Sequence, residues 1–124
     1  MEISAVIISY NEEDCIERCI KSVSGVADEV VVVDSYSTDR TGEICRQLGV
    51  RFIQHPFEGY REQKNYALQL ATYDYILSLD ADEALSEELR QSILNVKENW
   101  GADGYYFNRL NNYCGQWIHH SNWY

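Results

Sequence analysis

The stretch YILSLDADE, residues 75–83, indicates the fold more directly than any other part of the chain. Its first five residues are apolar except for Ser78, a composition typical of a strand that is covered on both faces. The run then continues into Asp80 and Asp82. Because residues two apart in an extended chain point to the same side, both carboxylates are expected to face one cleft.

Similar apolar runs, separated by stretches with helical spacing, occupy the rest of the chain. Strands are predicted at residues 3–9, 30–33, 51–55 and 75–79, with another strand beginning at 105–107. Helices are predicted to begin near Asn11, Ser37, Tyr60 and Ser86. This alternation predicts one α/β domain over residues 1–124, with a Rossmann-like, mostly parallel sheet and helices on both faces.

Polar side chains stand where the predicted strands end. In open sheets of this kind, ligands bind outside the carboxyl ends of the strands. A purely structural domain has no need of acidic or hydroxyl clusters at three of its four strand ends, so we expect a ligand site there. The residues concerned are Ser9, Tyr10, Asn11, Glu12, Asp34, Ser35, Asp80 and Asp82.

Asp80 and Asp82 are the candidate metal ligands. Two like charges at a strand end repel each other unless a cation bridges them or one takes up a proton. Mg²⁺ and Mn²⁺ prefer oxygen ligands, and Mg²⁺ is usually held by one or two carboxylates plus substrate phosphates. A DxD pattern also recurs by chance, and Asp82 or Glu83 would equally serve the start of the helix near Ser86.

Four segments together resemble family 2 glycosyltransferases. They are IISYNE at 7–12, VVVDSYSTDRT at 31–41, KNYAL at 64–68 and DADE at 80–83, in the order and at about the spacing of that family. Within the family, DSYSTDRT and DADE are most similar to the branch containing lipopolysaccharide core β-1,4-glucosyltransferases. The resemblance implies a GT-A fold, of which this chain would be the N-terminal, donor-binding part.

The resemblance also implies roles for individual side chains. Asp34 would accept a hydrogen bond from uracil, while Tyr10 and Ser9 would line the base pocket. Lys64 would contact the base or the diphosphate. The implied donor-binding residues are Ser9, Tyr10, Glu12, Asp34, Lys64 and Asp80, and the implied ligands of Mn²⁺ or Mg²⁺ are Asp82 and Asp80, with Asp80 near the ribose.

Each of these residues also has a simpler interpretation. Asp34 would serve equally as a strand-end cap, Glu12 as a helix cap and Lys64 as a solvated helix residue. Two departures from the family pattern matter. Ser35 and Tyr36 replace the usual Asp and Gly, which puts a second carboxylate there in doubt. Lys64 stands where many members have Arg, and a lysine does not bind a phosphate through two parallel hydrogen bonds.

The implied activity is inverting transfer of a sugar from a metal-bound nucleoside-diphosphate sugar, such as UDP-glucose, to a glycan or lipid-linked saccharide acceptor. Such transfer in lipopolysaccharide or other cell-envelope glycan synthesis needs a general base. After Glu98 the only acidic residue is Asp103, which is poorly placed for that role. We therefore expect a truncated chain with no catalytic residue of its own, the base lying downstream, and self-association through the aromatic C-terminal region.

Two other classes of protein are compatible with some of these features. A nucleotidyltransferase acting on sugar phosphates would carry a glycine-rich basic loop after the first strand, where this chain has SYNEED at 9–14. A non-catalytic regulatory domain with a metal site should not bind UDP. The net charge of −10 argues against a nucleic-acid partner.

The sequence also predicts a location. We find no signal peptide and no apolar stretch of the roughly 20 residues that a membrane span requires. The four cysteines contain no CxxC pair and are expected to be reduced. These features predict a cytoplasmic protein, with peripheral association at the inner face of the membrane as a further possibility.

Overall fold

The structure, a computed structural model, describes residues 2–98, 109–113 and 116–120. Over residues 2–98, strands and helices alternate. The strands are β1 (Ile3–Ser9), β2 (Glu29–Asp34), β3 (Arg51–Gln54) and β4 (Tyr75–Asp80). The helices are α1 (Ile16–Val23), α2 (Thr41–Gln47), α3 (Tyr60–Gln69) and α4 (Glu87–Glu98). Two later strands, β5 (Arg109–Tyr113) and β6 (Gln116–His120), pair as an antiparallel hairpin.

The first four strands form a parallel sheet in the order β3-β2-β1-β4. The central strand β1 pairs with β2 on one side and with β4 on the other. Along the chain, β2 and β3 are added in turn on one side of β1, and β4 is then added on the other side of β1. The strand order therefore reverses between β1 and β4, where open α/β sheets leave a crevice for ligands. The predicted α/β class is confirmed.

The alternation of side chains along β1 covers the sheet on both faces. Ile3, Ala5 and Ile7 belong to a core cluster that also contains residues of α1, α2 and α4. Val6 and Ile8 pack on the other face with Ala67 of α3. Full burial of one large aliphatic side chain contributes roughly 1.5–3 kcal/mol, so these two clusters hold the sheet between its helices.

Two helices begin later than the sequence predicts. The prediction that α1 begins near Asn11 is wrong, because the helix begins at Ile16 and Asn11 has a positive φ of 49°. Likewise, α2 begins at Thr41 rather than near Ser37, because side chains of residues 37–39 bond to the loop after β1. The cap at Ser86 is confirmed, since its hydroxyl accepts an N–H from the first turn of α4 at 3.1 Å.

Four further expectations concern the C-terminal region, membrane spans and the cysteines. The strand predicted at 105–107 lies outside the described residues. Of the aromatic C-terminal region expected to mediate self-association, the structure describes the backbone of β5 and β6 but no side chains. None of the described helices combines the length and the apolar composition of a membrane-spanning segment. Cys19 and Cys45 are buried free thiols. Cys15 is disulfide-bonded, so the expectation of reduced cysteines is wrong there, because the absence of a CxxC pair does not exclude a disulfide.

One carboxylate joins neighbouring segments at the amino-terminal edge of the sheet. Glu29, at the start of β2, accepts hydrogen bonds from the Ser4 hydroxyl (2.8 Å), the Thr72 N–H (2.8 Å) and the Thr72 hydroxyl (2.6 Å). Arg51, at the start of β3, lies 3.6 Å away. Burial raises the pKa of Glu29, but hydrogen bonds from Thr72 and Ser4 and the charge of Arg51 outweigh burial and lower it.

Replacing this carboxylate should destabilise the fold. Glu29→Ala should lower the free energy of unfolding by about 1–3 kcal/mol at neutral pH, because Ser4 and Thr72 lose a charged acceptor. The pKa of Glu29 is lowered in the folded state, so its contribution is present above the unfolded pKa and disappears as the pH falls through the folded pKa. Urea unfolding at several pH values should show a stability difference that narrows towards acid.

A glutamate in an exposed ion pair provides the control. Glu43 pairs with Arg40 at 3.1 Å on the surface of α2, where such pairs contribute about 0–1 kcal/mol. Glu43→Ala should therefore cost much less than Glu29→Ala. Equal losses in the two variants would show that Glu29 does not join the strands as described.

Candidate functional site

A cleft of about 240 Å³ opens at the carboxyl ends of β1 and β4, where the strand order reverses. The residues come from the loop after β1, the loop after β2, the segment around the start of α3, and the turn after β4. They are Ile8, Ser9, Tyr10, Glu12, Ser35, Phe57, Tyr60, Gln63, Asp80, Ala81 and Asp82. The fold thus brings together six residues predicted from the sequence, namely Ser9, Tyr10, Glu12, Ser35, Asp80 and Asp82.

Asp34 lies behind this cleft rather than on its wall. Its side chain has no exposed surface. One carboxylate oxygen accepts the Ser9 hydroxyl at 2.8 Å, and the other accepts the Ser37 N–H at 2.7 Å and the Gln54 amide at 3.4 Å. A buried charge is tolerated only when hydrogen bonds replace its hydration. In this structure the carboxylate therefore holds the ends of β1, β2 and β3 together.

The loops after β1 and β2 interlock through side chains of the STDRT segment, residues 37–41. Three backbone N–H groups of the first loop donate to side chains of the second: Asn11 to Ser37 Oγ (2.7 Å), Glu12 to Thr41 Oγ1 (2.9 Å) and Glu13 to Asp39 Oδ2 (3.1 Å). In return, Asn11 Oδ1 accepts the Thr38 N–H at 2.8 Å. These bonds orient the loop that carries Tyr10 and Glu12.

The turn after β4 is fixed by hydrogen bonds to the Glu83 side chain, within its own backbone and to β1. The Asp80 N–H donates to the Glu83 carboxylate at 2.7 Å, and the Glu83 N–H donates to the Asp80 carbonyl at 2.9 Å. The Ala81 N–H donates to the carbonyl of Ile8 on β1 at 3.0 Å. Glu83 is buried, whereas Asp82 is partly exposed and lines the cleft. The turn therefore holds the backbone of Asp80 and Asp82 in one conformation at the cleft.

Glu12, Asp80 and Asp82 give the cleft a negative potential. Burial raises the pKa of Glu12, and the charges of Asp82, Asp39 and Asp80 raise it further. Among the described residues, no group of three His, Cys, Asp or Glu side chains forms a ready-made metal cage. Oxygen donors that repel one another suit Mg²⁺ or Mn²⁺, which complete their coordination with water and phosphate oxygens. The residues present therefore fit such a cation.

Lys64 does not line the cleft. Its Nζ lies 5.3 Å from the centre of the Tyr60 ring. The Tyr60 hydroxyl in turn donates to the carboxylate of Asp80. Lys64 therefore interacts with the predicted metal ligand Asp80 indirectly, through the side chain of Tyr60.

The sequence prediction missed three residues of the cleft: Phe57, Tyr60 and Gln63. Gln63 is buried, and its amide donates to the Ser35 hydroxyl at 3.0 Å. Phe57, Tyr60 and Tyr10 are each more than half exposed, which is unusual for large aromatic side chains. Exposed aromatic rings beside polar groups at a cleft mark a binding surface. No local pattern distinguishes these residues from ordinary helix and loop residues.

The chain was compared with known proteins. The family model described as "Glycosyl transferase family 2" matches residues 4–123. The chain belongs to this family. The match favours the glycosyltransferase interpretation over the nucleotidyltransferase and regulatory-domain alternatives.

Two relatives extend the match. The family 2 chain is 46% identical over 104 residues to an uncharacterized glycosyltransferase of Rickettsia bellii (strain RML369-C), covering 84% of this chain and 35% of that protein. It is 38% identical over 96 residues to the lipopolysaccharide core biosynthesis glycosyltransferase LpsC of Rhizobium meliloti (strain 1021), covering 73% and 35%. The chain spans about a third of the length of these curated relatives.

Two crystal structures share the fold of this family 2 chain. One is TarS 1-349 of S. aureus in complex with UDP-GlcNAc, with a TM-score of 0.61 and 28% identity over 79% of this chain and 32% of that chain. The other is glucosyl-3-phosphoglycerate synthase of Mycobacterium tuberculosis in complex with Mn²⁺, UDP and phosphoglyceric acid. Its TM-score is 0.60 and its identity 32%, over 67% of this chain and 34% of that chain. The predicted GT-A fold is confirmed.

Loss of the Asp34 charge should destabilise the chain before any ligand is added. Asp34→Asn keeps the side-chain volume but turns an NH₂ group towards donors that now contact a carboxylate oxygen. We expect a loss of about 1–3 kcal/mol in the free energy of unfolding, the usual cost of a disrupted buried polar contact. Urea unfolding measures this loss.

Asp74→Asn is the matched control, because Asp74 is an exposed residue in the turn before β4. Exposed substitutions of this kind change stability by no more than about 0.5 kcal/mol. If Asp34→Asn were as stable as Asp74→Asn, the buried carboxylate would not be the residue that holds the two loops.

Proposed function

We propose that this chain forms the donor half of a sugar-transfer site and binds a UDP-sugar together with one Mn²⁺ or Mg²⁺. The observation that supports the proposal most strongly is the position of Glu12, Asp80 and Asp82. These three carboxylates lie in one cleft at the reversal of strand order. Their mutual repulsion favours a cation there, and a cation in turn favours a diphosphate.

The rest of the cleft suits a nucleoside. Tyr10, Ser35 and Phe57 line a space of about 520 Å³, and both aromatic rings are exposed. Aromatic faces of this kind bind the flat surface of a base, and hydroxyl or amide groups then read its polar edge. We assign Tyr10 and Ser9 to the base pocket. Asp34 would reach uracil only by adding a hydrogen bond to those it already accepts, so its main contribution is to hold Ser9 in position.

We assign the carboxylates of the cleft to the part of the site that binds the cation, the diphosphate and the ribose. We assign the cation to Asp82, with Glu12 beside it, and the ribose to Asp80. A bound divalent cation would neutralise the negative charge of the departing diphosphate. Lys64 adds positive charge near the edge of the site and compensates part of the repulsion among these acids. Mn²⁺ and UDP occur together in the synthase structure of similar fold, which supports this choice of ligands.

The acceptor and the general base are assigned to sequence that this chain does not span. The relatives are more than twice as long as this chain, and we assign all the carboxylates that line this cleft to the donor. Similarity to LpsC favours a saccharide acceptor in lipopolysaccharide or other envelope glycan synthesis. Sugar transfer from UDP-glucose to a lipopolysaccharide core acceptor by these 124 residues alone would contradict this division.

Donor and metal should bind cooperatively. Isothermal titration of the chain with UDP should give a Kd that falls by roughly tenfold or more when Mn²⁺ replaces EDTA, within the usual range of coupling between two ligands. Linkage requires UDP to tighten Mn²⁺ binding by the same factor. Asp82→Asn should remove this coupling, because the cation loses the carboxylate assigned to it.

The Asp74→Asn variant is again the control, since it removes one negative charge away from the cleft. It should keep the full coupling between UDP and Mn²⁺. An unchanged UDP affinity in EDTA and in Mn²⁺ would rule out a shared site. Coupling that survives in Asp82→Asn would show that another residue binds the cation.

A further inference from the structure

Gln63 links the cleft to a histidine that does not line it. The glutamine side chain belongs to the cleft wall, although only 1% of its surface is exposed. Its amide oxygen lies 3.1 Å from Nδ1 of His55, and its amide nitrogen donates to the Ser35 hydroxyl at 3.0 Å. Because a buried amide needs hydrogen-bond partners, these two contacts hold it in one orientation.

The orientation of the amide determines where the histidine carries its proton. An amide oxygen only accepts hydrogen bonds, so Nδ1 of His55 must carry the proton that it donates to Gln63. In the neutral ring, Nε2 is then the nitrogen with the lone pair. With the amide turned the other way, Nδ1 would accept from the amide nitrogen, and the amide oxygen would face Ser35.

The same orientation determines what the Ser35 hydroxyl offers to a ligand. A hydroxyl both donates and accepts, so its neighbours decide which role is left. Ser35 accepts from Gln63, and among the described residues no group is bonded to its proton. The proton is therefore available to an acceptor in the cleft. With the amide reversed, the hydroxyl would donate to Gln63 and could only accept from a ligand.

His55 is held in place by two neighbouring elements. Its backbone N–H donates to the carbonyl of Asp34, at the end of β2, at 2.9 Å. Its ring stacks on Tyr66 of α3, with the ring centres 3.8 Å apart and the planes inclined by 22°. Tyr66 and Gln63 are three residues apart on this helix and so lie on the same side of it. The stack therefore keeps the Nδ1 edge of the ring within reach of Gln63.

We infer that His55 is a positioning residue that acts through Gln63 to make Ser35 a hydrogen-bond donor in the cleft. Ser35 also lines the space that Tyr10 and Phe57 line and that we assign to the base. A donor at this point matches a carbonyl oxygen of uracil, which accepts hydrogen bonds. The inference rests on the proposed function for the identity of the ligand. It adds His55 and Gln63 as the residues that set the direction of this hydrogen bond.

The protonated nitrogen of His55 is measured first, on the 124-residue chain without ligand. Long-range ¹H–¹⁵N correlation spectra in mildly alkaline solution, where imidazole is neutral, should show the proton on Nδ1. Free neutral histidine prefers Nε2, so Gln63→Leu should return His55 to that form. Gln69→Leu is the matched control, because Gln69 is an exposed glutamine of the same helix that does not line the cleft. A proton on Nε2 in the unmodified chain would overturn the inference.

Two substitutions at His55 then separate hydrogen bonding from ring packing. His55→Phe keeps a ring against Tyr66 but has no N–H donor, whereas His55→Asn loses the ring and keeps an N–H donor at the δ position. In a calorimetric titration with Mn²⁺ present, UDP should bind His55→Phe about fivefold more weakly than the unmodified chain, the factor for one net hydrogen bond. His55→Asn should retain most of the affinity. The opposite order of the two variants would show that His55 acts by packing and would overturn the inference.

Ser35→Ala tests the same step without changing the histidine. It should also weaken UDP binding about fivefold, because it removes the donor itself. The double variant His55→Phe with Ser35→Ala should bind UDP no more weakly than Ser35→Ala alone, since residues that act through one another are not additive. Losses that multiply in the double variant would show that His55 does not act through Ser35.

The two measurements distinguish this inference from the proposed function. If UDP does not bind the unmodified chain but His55 carries its proton on Nδ1, the donor assignment fails and the arrangement of His55, Gln63 and Ser35 stands. If UDP and Mn²⁺ bind cooperatively but Ser35→Ala binds UDP as tightly as the unmodified chain, the donor assignment stands and this inference fails.

Discussion

A carboxylate with no exposed surface, at the end of β2, is the constraint on which the site depends. Removing a charge from water is costly unless hydrogen bonds replace its hydration. Asp34 meets this requirement with the Ser9 hydroxyl at the end of β1, the Ser37 N–H of its own loop and the Gln54 amide of β3. One buried charge therefore fixes three strand ends, and with them the loop that brings Glu12 to the cleft.

The acidic side chains of the strand ends divide into two groups by burial. Asp34 and Glu83 are buried and hold the backbone, whereas Glu12, Asp80 and Asp82 line the cleft. In the first group, hydrogen bonds within the protein compensate for the lost hydration. In the second group, burial and then mutual repulsion raise the pKa of Glu12, and the repulsion favours a bound cation. Stability and binding thus rest on different carboxylates within the same short motifs.

The sequence predicts the sheet well because parallel strands are buried on both faces and appear as uninterrupted apolar runs. It also predicts which strand ends line the cleft, since Asp80 and Asp82 directly follow such a run. It does not predict that Asp34 turns inward or that Tyr60 contacts Asp80, because these contacts join segments about 20 residues apart. The start of α1 is mispredicted for the same reason: Asn11 bonds to the loop after β2 instead of capping its own helix.

The most direct test of this account is the paramagnetic effect of Mn²⁺ on backbone amide signals of the ¹⁵N-labelled chain, with UDP present. The account predicts that signals of residues 80–83 and of the loop after β1 lose the most intensity. Signals of Glu29 and Thr72, at the opposite edge of the sheet, should be retained. A loss centred on that opposite edge, or an equal loss along the whole chain, would contradict a cation site at the carboxyl ends of β1 and β4.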